Sequence, residues 1–418
     1  MSLKYLYMGN IFIEKFKVNI FDINFILTFI GFTLFTTLLP SLSSVAIRGI
    51  CLGVSVLCLF VSGIHVDLPN RQAKMYFVLL FIMIIRTTFD VMLGSLSNSP
   101  QSGQMLVMLF MYGVLLIPLI SILSSINRMH WNTTFLILQV LLFIVVYLGI
   151  QNTNLDLYTT LNGRTGMNDR QGSLQFAATS SYLMIVSLVN FAKTPFRKKY
   201  ISYVYRVFCI LGVLLAFTGF SKAGSRGSFL ASIVVIPFFI YNVSKHYKTW
   251  IAIFAVIISV SSVSILTFLD DFAPVLLERL TTTIEEGDMG RNELFNEGME
   301  LFKNSPILGD NPLLVWDGGF CGHHNMYLDV AIYVGIFGFL AFLNIIFYIV
   351  RYLMHNKSQD PVHLMFFMLS IVFIVRGFAG LTIVNDPLIS LTFIISCLII
   401  NSNTSDKNKS RICNQEKN

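Results

Sequence analysis

Met326 to Val350 reads MYLDVAIYVGIFGFLAFLNIIFYIV, 25 positions with Asp329 as the one charge. Coiled as a helix it would reach about 37 Å at 1.5 Å per residue, enough to cross roughly 30 Å of hydrocarbon. It shows no period-two alternation, so in lipid it satisfies its backbone as a helix and not as a barrel strand. Comparable runs lie near 24–41, 45–63, 74–94, 105–126, 133–150, 172–192, 201–219, 226–242, 249–269, 363–383 and 387–401. With 55% hydrophobic and 12% charged residues over 418 positions, the composition is that of a polytopic membrane protein. The expected fold class is all-α, with about 12 transmembrane helices.

Working outward from Met326, the preceding stretch from Asp270 to His324 is the longest polar interruption, and it parts the ninth and tenth apolar runs. The chain therefore divides into helices 1–9 over 1–269, a large loop over 270–325, helices 10–12 over 326–401, and a polar tail over 402–418 expected to be disordered. Short loops on one face carry Arg71 and Lys74, Arg128, the cluster Lys193, Arg197, Lys198 and Lys199, then Lys245 and Lys248, and Arg351 and Lys357. The positive-inside rule puts that face in the cytoplasm together with both termini, which leaves the 270–325 loop outside. The formal charge of +7 is then mostly a topology signal, and nucleic acid is not an expected partner. No cleavable signal is evident, because the first apolar run follows Lys4, Lys15 and Lys17 without a small-residue cleavage site. Of six cysteines only Cys321 falls outside, and adjacent His323 and His324 are a poor basis for a metal site, so no metal or cofactor is expected.

Several charges sit where lipid disfavours them. Arg86 and Asp90 lie four apart in the third run, where they either pair locally or serve a cavity. Arg376 lies deep in the eleventh run with no acid within one turn, which points to a cavity and a substrate-binding role. The turn Gly224-Ser225-Arg226-Gly227 joins the seventh and eighth helices outside and sets Arg226 at a helix start, where an anion would relieve both the guanidinium and the unpaired first-turn amides. Its bland alternative is an interfacial arginine touching lipid phosphate. Within the large loop, Gly290 to Lys303 places Leu294, Phe295, Leu301 and Phe302 on one stripe, with Glu293, Glu297 and Glu300 mostly opposite, as in a surface amphipathic helix that begins at Arg291. It should stop at Asn304-Ser305-Pro306, and Gly309, Pro312, Gly318 and Gly319 then predict irregular backbone.

These residues carry a resemblance. His324-Asn325, nine residues, Gly335, two residues and Gly338 are similar to the His-Asn-x9-Gly-x-x-Gly pattern of the bacterial O-antigen ligase and O-antigen polymerase superfamily. The Ser225-Arg226-Gly227 turn and the run from Arg291 to Pro306-Ile307-Leu308-Gly309 look like two further motifs of that family, in the same order. The likeness covers about 215–345, whereas the N-terminal half resembles the family only in hydropathy.

The resemblance implies an enzyme of the bacterial inner membrane, with its active site facing the periplasm. Such an enzyme transfers a glycan from undecaprenyl diphosphate to a sugar hydroxyl and works among membrane lipids with a chain-length regulator protein as a further partner. Displacing a diphosphate needs an activated hydroxyl and a stabiliser for the leaving charge, but little acid help, which suits one histidine and two arginines without paired carboxylates. His324 is the expected base, since a free imidazole with its reference pKa of about 6.5 can take a proton at neutral pH. Its bland alternative is a helix-capping histidine. Arg226 and Arg291 are the expected clamp for the diphosphate, with forked donors that need no metal. Ser225, Asn325, Arg164, Arg170 and Trp316 are further expected substrate contacts, Trp316 through stacking on a sugar ring.

Direct attack would invert the anomeric centre. A polymerase extends another carrier-linked unit and a ligase hands the chain to the lipid A core. Arg164 and Arg170 give a second basic outer loop in 151–171 that looks like those of polymerases, and this resemblance favours the polymerase. A lipid-linked oligosaccharide flippase is the alternative from another class, disfavoured by the short loop between helices six and seven.

Overall fold

The computed structural model describes residues 18–31, 44–64, 70–92, 116–151, 173–196, 198–223, 226–244, 246, 248–249, 289–310, 314–316, 319–321, 325–357, 360–378 and 388–400. Among them the helices are α1 Ile20–Gly31, α2 Ser44–Ser62, α3 Arg71–Met92, α4 Leu116–Arg128, α5 Trp131–Gln151, α6 Ser173–Ala192, α7 Lys199–Ala223, α8 Arg226–Val243, α9 Met289–Asn304, α10 Met326–His355, α11 Pro361–Arg376 and α12 Leu388–Ile400. Three of these, α5, α7 and α10, are long and apolar enough to cross a membrane by themselves, and seven shorter helices are apolar too. All but the first residue of the predicted ninth span at 249–269, and the tail at 402–418, lie outside the described residues.

Two expectations need correction. The described residues are helical as expected, apart from a short antiparallel hairpin of β1 Leu314–Trp316 and β2 Gly319–Cys321, where irregular backbone was predicted. Trp316 pairs with Gly319, so the strands are joined by two residues, Asp317 and Gly318. Asp-Gly is a strong two-residue hairpin signal, and it outweighed the glycine content. On α9, Phe295, one of the residues of the predicted apolar stripe, is 42% exposed. The helix nonetheless stops where expected. The eleventh helix ends at Arg376 and not near 383, so that arginine stands in the last turn and not deep within the span, although only 4% of it is exposed.

The chain divides into two compact units. The first is drawn from Met1–Ile64, Ile120–Met289 and Ser358–Arg376, and the second from His65–Leu119, Gly290–Lys357 and Gly377–Asn418.

In the first unit α6 and α7 run antiparallel in tight register, with Ser180 against Gly219 and Ser187 against Gly212. The missing side chains let the two backbones approach, a common device where lipid supplies no hydrophobic drive between helices. Gln139 of α5 ties the same helices together: its Oε1 accepts from Asn190 Nδ2 at 2.7 Å and from the Tyr205 hydroxyl at 2.6 Å. Because Gln139 lies beside Cys209 at 3.5 Å and Val146 faces Gly219, α5 and α7 run in the same direction. Trp131, at the start of α5, packs on Phe366 near the start of α11 with ring centroids 5.8 Å apart. Thus α7 ends, α8 begins and α11 ends at one end of this unit.

The opposite end of the same unit is held by a buried acid. Asp22 is fully buried, and its carboxylate accepts from the Asn19 amide at 2.9 Å, the His130 amide at 2.7 Å and the Thr134 hydroxyl at 2.9 Å, with His130 Nδ1 at 3.1 Å. Asn19 in turn caps α1 through its Oδ1 and donates from Nδ2 to the Arg128 carbonyl at 2.6 Å. One carboxylate therefore fixes the starts of α1 and α5. Asp22→Ala would strand several of these donors and is expected to cost about 3 kcal/mol. A thermal scan of detergent-solubilised protein at fixed heating rate reads this as a drop of several degrees, and an unchanged midpoint would contradict it.

In the second unit α3 runs antiparallel to α10 and α12. The Asn70 side chain, at the head of α3, donates to the Tyr348 hydroxyl at 3.3 Å and the Cys397 carbonyl at 2.8 Å. One to two turns on, Tyr76 meets Phe342, Phe393 and the Ser390 hydroxyl, the last at 3.2 Å. Leu79 then faces Gly338. This order leads from one end of the unit to the other, where α10 begins.

Candidate functional site

Asn325 heads α10 with extended backbone (φ −139°, ψ 106°), and its Oδ1 accepts from the amides of Tyr327 at 3.1 Å and Leu328 at 3.2 Å. It is thus a side-chain N-cap that satisfies orphan donors of the first turn. The Met326 amide is taken by the Gly377 carbonyl at 2.8 Å, and Tyr327 stacks on Phe378 with centroids 4.2 Å apart. The start of α10 is therefore held on several sides.

Nine residues further on, the helix breaks. Gly335 has φ 65° and ψ −173°, a conformation open essentially to glycine alone. In an unbroken helix the Ile336 amide would bond to the Ile332 carbonyl. Here both groups turn to the segment after α9: the Ile336 amide donates to the Pro306 carbonyl at 2.8 Å, and the Ile332 carbonyl accepts from the Asp310 amide at 2.5 Å. The turn Pro306–Asp310 is spliced into the ladder of α10. Gly309, at φ 81°, lies at the junction, where a Cβ would meet the carbonyls of Ile332 and Tyr333, while a Cβ on Gly335 would strike the Ile307 carbonyl. Two motifs read separately in the sequence, Pro306-Ile307-Leu308-Gly309 and Gly335-x-x-Gly338, are one backbone junction.

A side chain from α3 completes the junction. Arg86 Nη1 donates to the Leu308 carbonyl at 2.6 Å. The sequence singled out this arginine but looked for its partner in Asp90, whose side chain lies outside the described residues. A carbonyl 222 positions away leaves no periodic trace.

The remaining candidates are placed as follows. Arg226 opens α8 and Arg376 closes α11, two helices that pack together, so both residues stand at one end of the first unit. Arg291 stands in the first turn of α9 and Trp316 ends β1, both in the second unit. The side chains of Arg226, Arg291 and Trp316 lie outside the described residues, as do Ser225, His324, Arg164 and Arg170 altogether. Of the second-unit candidates, the structure brings together Asn325 and the Gly335 junction on one helix, with Arg291 at the far end of the helix that leads into the junction. Arg86 is the residue whose part in this assembly sequence reasoning missed.

The turn and the break in α10 fall within a segment that a known family model matches. The family model of O-antigen ligase matches residues 211–343. Over that segment, about a third of the chain, the protein is similar to the O-antigen ligase family. The match spans α8, α9, the hairpin, the spliced turn and the head of α10, and it includes Arg226, Arg291 and His324. No curated protein and no solved structure matches the chain.

Proposed function

We propose that the protein is a membrane-embedded O-antigen or capsular polysaccharide polymerase. It transfers the growing glycan from undecaprenyl diphosphate to a sugar hydroxyl of a carrier-linked repeat unit. The observation that carries this reading is the family match over 211–343, which includes each of the three candidate motifs. In the proposed step His324 takes the proton of the acceptor hydroxyl as its oxygen attacks the anomeric carbon. A new glycosidic C–O bond forms, the C–O bond to diphosphate breaks, and the electron pair leaves with the diphosphate. Arg226 and Arg291 supply guanidinium donors to the phosphate oxygens as that charge gathers. Ser225, Asn325, Trp316, Arg164, Arg170 and Arg376 are assigned to substrate contact. Asn325 also caps α10, which fixes the residue after His324 at the helix head.

The family's own description favours a second reading, a ligase that hands the chain to lipid A core. Arg164 and Arg170, in the outer loop at 151–171, keep the polymerase first. Reconstitution in liposomes with a defined carrier-linked repeat unit, alone and beside core lipid, separates them. The polymerase yields carrier-linked products of two or more units with inverted anomeric configuration by NMR. Transfer to core alone would establish the ligase. Retained configuration would remove the single displacement, and lipid movement across the bilayer without any new glycosidic bond would leave a flippase.

A further inference from the structure

We infer that Arg86 is a positioning residue for transfer: by holding the Leu308 carbonyl it fixes the turn that couples α9, which begins beside Arg291, to α10, which begins just after His324. The inference rests on the proposed reaction for its functional consequence and on the second unit's geometry for its cause. Three other backbone groups of the turn are already committed. Pro306 gives its carbonyl to Ile336, Gly309 its amide to Ser305, and Asp310 its amide to Ile332. The Leu308 carbonyl meets the guanidinium of α3 at 2.6 Å, the short length of a charge-assisted bond. Three chain segments therefore meet at one turn.

The same turn is the route by which α9 is attached to α10. Gly309 and Gly335 approach closely enough that neither can carry a side chain without moving the other, so the turn has one seat. Ile307 and Leu308 are 62% and 78% exposed, so the turn gains little from burying its own side chains. Its hold comes from backbone hydrogen bonds and from Arg86. An arginine within an apolar helix is otherwise unfavourable in lipid, and this partner accounts for its place there. Loosening the grip leaves the helices intact but lets the α9 head wander relative to the α10 head. A displacement of about 1 Å between reacting groups can cost a hundredfold in rate while leaving ground-state binding nearly untouched.

The test uses full-length protein in liposomes with carrier-linked donor and acceptor, together with amide hydrogen exchange read by mass spectrometry. Arg86→Lys keeps the charge but loses the fork, and Arg86→Gln loses the charge. Expected are turnover about tenfold lower for the lysine variant and lower still for glutamine, with the donor KM within about twofold of wild type. Exchange should quicken at the Asp310 and Ile336 amides and stay unchanged across Trp131–Gln151, which a general loss of stability would not spare. Wild-type turnover in both variants overturns the inference. So does a lower turnover with unaltered exchange at the turn. A wild-type protein that makes no glycosidic bond counts against the proposed reaction, while the exchange measurement still decides whether Arg86 holds the turn. Should Arg86→Gln fail to accumulate, Arg86→Lys carries the test alone.

Discussion

Replacing His324 with alanine is expected to lower glycan transfer by about 10²–10⁴-fold, the range that a positioned general base contributes. The amount of folded protein should not change, because the cap that starts α10 is made by Asn325 and not by its neighbour. His324→Gln sharpens the point: it retains a hydrogen-bonding side chain of similar reach but has no basic nitrogen, so it should be as inactive as alanine. A helix-capping role for His324 predicts the opposite pattern, in which His324→Ala destabilises by about 1 kcal/mol and His324→Gln is nearly silent. The decisive measurement is the initial rate of carrier-linked dimer formation with purified variants. A glutamine variant that keeps more than about a tenth of the wild-type rate would end the assignment of His324 as base.

The membrane character and most helix positions were legible because apolar run length is a local property. Trp131–Gln151, Ser173–Ala192 and Arg226–Val243 fall within two residues of their predicted bounds. What was not legible is what depends on distant partners. Helix α10 reads as one unbroken run across Gly335, and a single glycine in such a run is usually tolerated without a break. The break exists because Pro306 and Asp310 supply the hydrogen bonds that the helix gives up, and they lie more than twenty positions earlier. Arg86 was visible as a misplaced charge, but its acceptor is a backbone carbonyl that has no sequence signature. Arg376 was read as deep because the apolar run continues past it, whereas the helix stops at Gly377, whose carbonyl takes the Met326 amide. The hairpin is the one miss with a local signal that went unused, Asp317-Gly318 between apolar pairs.

The structure also gives the His-Asn-x9-Gly-x-x-Gly spacing a physical meaning. The nine residues Met326–Val334 are a short helical segment with a cap at one end, Asn325, and a break at the other, Gly335. The second glycine, Gly338, falls on the face where α3 approaches, and Leu79 Cδ2 would stand 3.4 Å from a Cβ there. The spacing thus measures the distance from the cap at Asn325 to the splice, about 15 Å along the helix axis at 1.5 Å per residue. A pattern that resembles a catalytic signature is largely a folding instruction, with His324 as its proposed chemical part.

That reading makes Gly335→Ala the most informative change away from His324. Alanine at φ 65° and ψ −173° costs about 1–3 kcal/mol in backbone strain alone, and its Cβ would drive into the Ile307 carbonyl, whose carbon would lie 2.6 Å away. The chain has an escape that most strained sites lack. If the turn withdraws, Ile336 can donate to Ile332 and α10 closes into a continuous helix, so the variant is expected to fold and insert while losing the splice. Transfer should then fall at least about a hundredfold, as expected when reacting groups lose their registration. Helix content should be unchanged, and an added protease should newly cleave near Pro306–Asp310. Because Arg86 holds Leu308 independently of α10, Arg86→Gln added to Gly335→Ala should accelerate that cleavage further. A Gly335→Ala protein that transfers at the wild-type rate with its turn still protected would show that the break in α10 is incidental to function.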